Sequence, residues 1–177
     1  MIRFAEVFAL AARLPGQVFR EPQGDSLFCE YDAVLAPELW PALREMARWH
    51  GDDRVELLVP GASRAVSLSV HADEDDYWTA IGHGSDDEFL DSIAVSADVV
   101  AVTGPSGKWG CWGERGPEIA VFRGFPDAAA RDGWRERFGP FLDAAGAVES
   151  YVWMALGGRG PVPDEYAAAL AENYGTG

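Results

Sequence analysis

The sequence is short of cations and of the residues that usually carry chemistry. Its 177 residues hold 14 Lys plus Arg, of which Lys108 alone is lysine, against 29 Asp plus Glu, for a net charge of -15. Phosphate backbones are gripped by clustered Lys and Arg, so this balance, with a pI near 4.4, excludes nucleic-acid recognition through a basic face. The two cysteines, Cys29 and Cys111, have no CxxC spacing. Both are expected to be buried free thiols of a reducing cytoplasm. The three histidines, His50, His71 and His83, stand at no motif spacing to either cysteine, so no Cys–His nucleophile is readable. No apolar run reaches the roughly 18 residues of a membrane span. Glu6 and Arg13 interrupt the N-terminal segment, which therefore does not read as a secretory signal. A cytoplasmic protein with no membrane partner is expected.

Enzyme signatures are missing as well. There is no GxGxxG after a strand, no GxSxG elbow and no HExxH. Gly104-Pro105-Ser106-Gly107-Lys108 resembles the end of a phosphate loop only superficially, because Trp109 follows the lysine and the segment joins two strands. No cofactor is expected.

What is present is apolar and aromatic. Hydrophobic residues make up 48% of the chain, with seven Trp, five Tyr and nine Phe. That content excludes disorder of the whole chain and suits one domain spanning 1–177 with its own core. Apolar spacing predicts a helix over 2–13, ended by Leu14-Pro15-Gly16, and a strand over 26–33. A second helix runs to Trp49, with Pro37 in its first turn and Leu39, Trp40, Leu43, Met46 and Ala47 at helical spacing. Residues 54–59 read as a strand. Residues 65–71 alternate strictly, with Val66, Leu68 and Val70 opposite Ser67, Ser69 and His71, as a half-buried strand does.

Asp73 to Asp76 is then expected as a polar turn and 77–82 as the return strand of a hairpin. Ser85 and Glu88 fit a capping box opening a helix over 86–96. Residues 98–103, 108–113 and 118–122 form an antiparallel meander over 98–123, with turn signals at Gly104-Pro105-Ser106-Gly107 and Arg115-Gly116-Pro117. Asp127 caps a helix over 128–138, and Phe141, Leu142 and Ala145 continue a second piece. Residues 149–156 read as a last core strand and 164–173 as a C-terminal helix. Strand runs joined by short turns give an α+β fold, with a mostly antiparallel sheet of about five to six strands and helices packed on it.

The acids are concentrated. Residues 61–100 hold nine acids and one base, Arg64, so over half the net charge lies in that stretch. Asp73, Glu74, Asp75, Asp76, Asp86, Asp87, Glu88 and Asp91 have no neighbouring Lys or Arg in sequence. One reading is a solvated rim and a capped helix. A second is an electrostatic footprint for a basic protein, whose carboxylates stand where phosphates would sit. A third is a metal site in which His71 and His83 flank the acidic segment, although the run fails the calcium-loop pattern.

The meander offers another candidate. Trp109 and Cys111 share one strand face, and Lys108, Gly110 and Trp112 the other. The bland account is an aromatic sheet core. The sharper one is a shallow pocket with Trp112 as platform and Lys108 or Arg115 holding an anion. In composition the chain is similar to bacterial immunity and antitoxin-like proteins, a likeness that covers no motif and implies no site. The sequence therefore points first to an acidic binding protein, immunity- or inhibitor-like, that engages a basic protein through segment 73–91 by Asp73, Glu74, Asp75, Asp76, Asp86, Asp87 and Glu88. The alternative is a small-molecule or metal-dependent enzyme with a site around His71, His83, Lys108, Trp112 and Arg115.

Overall fold

The computed structural model describes residues 4–21, 24–62, 64–83 and 89–175. Its strands are β1 (Leu27–Glu30), β2 (Arg54–Val59), β3 (Arg64–Ser69), β4 (Val99–Thr103), β5 (Gly110–Glu114) and β6 (Ile119–Arg123). Among the described residues they form one six-stranded sheet in the order β1-β6-β5-β4-β2-β3, antiparallel at every pairing. The helices are α1 (Phe4–Val7), α2 (Tyr31–Val34), α3 (Trp40–Trp49), α4 (Glu74–Gly82), α5 (Ile93–Ser96), α6 (Ala128–Phe138), α7 (Ala144–Ala147), α8 (Trp153–Ala155) and α9 (Asp164–Tyr174). The fold is α+β, and the meander is β4-β5-β6.

Both faces of the sheet are covered. One face presents Cys29, Val55, Leu57, Val102, Cys111 and Phe122 to Trp40, Leu43, Tyr77, Ile93 and Trp134 of the helices. The other presents Phe28, Ala101, Trp112 and Val121 to Phe4, Phe8, Ala147, Leu170 and Tyr174. Every residue of β4, β5 and β6 is buried, whichever way it points. Their sequences read as nearly continuous apolar runs because a strand covered on both sides has no solvent face. Strand β3, at the sheet edge, keeps the alternation read from its sequence: Ala65, Ser67 and Ser69 are exposed while Val66 and Leu68 are half-buried.

Four expected elements are different. The strand expected over 26–33 ends at Glu30, and Tyr31–Val34 is helix α2. Residues 77–82 are not a return strand but belong to helix α4. Asp73 accepts from the Asp76 N–H at 2.9 Å and Asp76 accepts from the Asp73 N–H at 3.1 Å, closing a capping box. The acidic run is thus a helix start, and Tyr77 and Ile81, four residues apart, are its buried face. Residues 149–156 are not a strand either. Asp143 accepts from the Gly146 N–H at 2.8 Å, and helix runs from Ala144 through a π-helical turn, Val148–Val152, into α8. The N-terminal helix, expected to reach residue 13, stops at Val7. Phe8 instead pairs with Phe19: the Ala9 N–H donates to Val18 and the Arg20 N–H to Val7. The capping box expected at Ser85 and Glu88 lies outside the described residues. Among the described residues no helix is long and apolar enough to cross a membrane.

One buried carboxylate ties the meander to the strand beside it. Asp52, 7% exposed, precedes β2. It accepts from the Ser106 N–H at 2.6 Å, the Ser106 hydroxyl at 2.9 Å and the Trp109 Nε1–H at 2.9 Å. Gly104 is required beside it, because a Cβ there would collide with the Asp52 carboxylate. Removing a buried acceptor strands its donors, so Asp52→Ala should cost about 2–4 kcal/mol in urea unfolding. Gly104→Ala should be destabilised as well, whereas the exposed control Asp53→Ala should stay within about 0.5 kcal/mol.

Candidate functional site

Of the acidic residues singled out in the sequence, Glu74, Asp75 and Asp76 lie on helix α4 and Asp73 is its N-cap. Tyr77 anchors that helix to the core: its hydroxyl donates to the Val34 carbonyl at 2.5 Å, and its ring stacks on Trp40 at 5.2 Å between centroids. With Tyr77 and Ile81 turned inward, Glu74, Asp75 and Trp78 are left outward, and Asp73 to Asp76 are all exposed. Trp78 follows Glu74 by four residues and Asp75 by three, so the three share one helix face. Its ring is 38% exposed and lies over Gly82. Helix α5 packs beside α4 and adds Leu90, 73% exposed, and Val95 from its surroundings. Exposed apolar side chains thus occur on α4 and in the following helical turns, and on α4 Trp78 shares its face with Glu74 and Asp75.

Arg64, the lone base of the acidic stretch, holds this surface together. Its guanidinium donates to the His83 carbonyl at 2.6 Å and also to the Asp91 carbonyl. Asp86, Asp87 and Glu88 lie outside the described residues. The fold also brings in cations that sequence neighbourhood did not show. Arg44 of α3 donates to the Ala72 carbonyl at 3.2 Å and lines a shallow hollow with Trp40, Asp73, Glu74 and Asp75. Two acids of the cluster have internal work in the capping box, and Glu74 and Asp75 sit in the first turn, where they complement the helix dipole.

The structure does not bring the alternative pocket together. His71 precedes α4 and His83 follows it, at opposite ends of a helix about 13 Å long. Lys108 and Arg115 lie beyond opposite ends of β5, roughly 20 Å apart along the strand. Trp112 is fully buried and donates to Glu114, so it presents no open platform. Arg115 is occupied: it donates to the carbonyls of Ala94, Val95 and Ala97 and lies over the Tyr31 ring at 5.0 Å. Among the described residues no group of three His, Cys, Asp or Glu side chains is placed to hold a metal ion. Cys29 and Cys111 are free and buried, and burial holds both thiols far above their ordinary pKa, so neither is a ready thiolate.

The sequence reading missed the buried charged groups, Asp52, Glu114 and Arg123, each at or beside a strand end. Glu114 accepts from the Leu14 N–H at 2.8 Å and the Trp112 Nε1–H at 2.7 Å through one oxygen. Burial outweighs these two bonds and the nearby Arg13, and raises its pKa above the ordinary 4.5.

Comparison with protein-family models, with curated proteins and with solved structures gives no match.

The raised Glu114 pKa has a testable sign. The folded chain keeps this proton at pH values where the unfolded chain has lost it. The group's contribution to stability is therefore greatest at low pH and declines as pH rises from about 4.5 through the raised value. Glu114→Gln retains the accepting oxygen and does not titrate. Thermal midpoints from pH 4 to 7 should decline less steeply for Glu114→Gln than for the parent; parallel profiles would contradict the assignment.

Proposed function

We propose that the chain is an acidic binding protein that engages a basic protein partner through the acidic segment 73–91, of which the exposed face of α4 is described. The observation that carries this reading is the partly exposed Trp78 on the same helix face as the exposed Glu74 and Asp75. A solvated rim needs no large apolar side chains. A protein interface uses both kinds of group: a partly exposed aromatic anchor supplies affinity, and the surrounding charges select and steer the partner. A partner with arginines around an apolar centre is complementary to this arrangement. An immunity- or inhibitor-like protein directed at a basic target would present such a face. The anchoring of α4 through Tyr77 supports the reading too, because a rigid surface loses little entropy on binding.

A second apolar group, Trp153, Met154 and Leu156, belongs to the helical layer on the other side of the sheet. Glu149 lines the hollow beside Trp153, and this group is not part of the proposal.

The test is titration with an arginine-rich amphipathic peptide at low salt. Glu74→Gln/Asp75→Asn and, separately, Trp78→Ala should each weaken binding by about tenfold. Removing equal charge elsewhere, in Asp132→Asn/Glu136→Gln, should leave it within about twofold. Affinity should fall as salt rises. Equal losses in the α4 and control variants would reduce the acids to a general field and overturn the proposal.

A further inference from the structure

Arg123 ends β6 as a buried cation without a counter-charge. The residue is 5% exposed. Its Nε donates to the Ser26 hydroxyl at 2.8 Å, Nη1 to the Gln17 side-chain oxygen at 3.3 Å and Nη2 to the Asn173 carbonyl at 2.5 Å. The Phe19 and Tyr174 rings lie 5.4 and 4.8 Å from the guanidinium carbon. All three acceptors are neutral, and among the described residues no carboxylate pairs with Arg123. A guanidinium has more N–H donors than these three bonds use. Removing a cation from water without pairing it is costly, and burial draws its pKa down with no carboxylate opposing.

Arg123 is one of the residues that line a cleft. Gly110 is the cross-strand partner of Arg123, and Lys108 lies two residues before Gly110, just outside β5. Lys108, Trp109, Phe19 and Gly124 line the cleft with Arg123, as do the exposed Glu6 and Glu21, and it encloses about 450 Å³ including its open mouth. The Gly124 carbonyl is taken by His50 Nε2 at 2.7 Å. The cleft thus joins the chain's single lysine to its buried, uncompensated arginine.

We propose that this cleft is a binding site for a small oxyanion, a carboxylate or phosphate group, which supplies the missing counter-charge to Arg123 with Lys108 as the second cation. A guanidinium fork matches the paired oxygens of either group. Glu6 and Glu21 disfavour a multiply charged ligand, so a monocarboxylate should bind more tightly than phosphate. The site is independent of the α4 surface.

The experiment is an amide and Arg Nε–Hε NMR titration with sodium acetate and, separately, inorganic phosphate, against sodium chloride at equal ionic strength. Acetate should shift the Arg123 Nε–Hε, Lys108 and Gly110 signals saturably and raise the thermal midpoint above its value in chloride. Lys108→Gln, an exposed substitution that leaves the buried Arg123 contacts intact, should weaken acetate at least threefold, on the order of one charge pair. Glu21→Gln should tighten both ligands, phosphate more. Shifts that do not saturate, or saturable shifts that Lys108→Gln leaves unchanged, overturn the proposal. Phosphate binding more tightly than acetate would overturn the assigned charge preference.

Discussion

Burial of both faces of one antiparallel sheet is the constraint on which the rest of the molecule depends. Strands β4, β5 and β6 have no solvent side, so each of their residues must be apolar, small or individually hydrogen-bonded. Close helix packing on either side adds to this. Phe8 and Phe19 press on Gly110, and Tyr31 presses on Gly113. Ionisable groups enter this interior only with hydrogen-bond partners, as Asp52 and Glu114 do with donors and Arg123 does with acceptors. The remaining acids of a chain with net charge -15 are left to the periphery, and α4 is where they gather around exposed aromatic surface.

That gathering follows from local physics. A run of four acids cannot enter the core, but it makes a favourable first helical turn, because unpaired backbone N–H groups and the helix dipole both attract negative charge. The same residues that start α4 therefore decorate it. Tyr77 then fixes which side faces out. The surface is a consequence of one helix having a strongly polar start and only two deeply buried side chains, Tyr77 and Ile81, in its middle.

Much of the architecture is legible in the sequence, and the failures have physical causes. The meander is readable because its turns contain Gly, Pro and Ser at strand-run boundaries. Helix α6 is readable from Asp127, which accepts from the Ala130 N–H at 2.8 Å. Residues 77–82 mislead because Tyr, Trp, Thr and Ile favour strands, while the cap that decides the matter lies upstream and resembles a turn. Residues 149–156 mislead for the same reason, with Asp143 as the overlooked cap. The acids of α4 can be named from sequence, but Trp78 cannot be assigned to their face without the helix. Arg123 and Glu114 are invisible to pattern reading, because a charged residue at a strand end ordinarily points to water. Only far-separated partners, Gln17, Ser26 and Asn173 for Arg123 and Leu14 for Glu114, reveal that they are buried.

The two proposed sites draw on opposite features of the chain. One uses abundant carboxylates at an exposed helix; the other uses a scarce pair of cations at a cleft. The central claim concerns the first, and locating the contact tests it most directly. Hydrogen exchange of the intact chain, free and saturated with the arginine-rich peptide, would show where protection is gained. The account predicts added protection over residues 74–82 and 89–96, with the core strands unchanged. Protection confined to the opposite layer, around residues 148–156, or spread evenly over the surface, would contradict it.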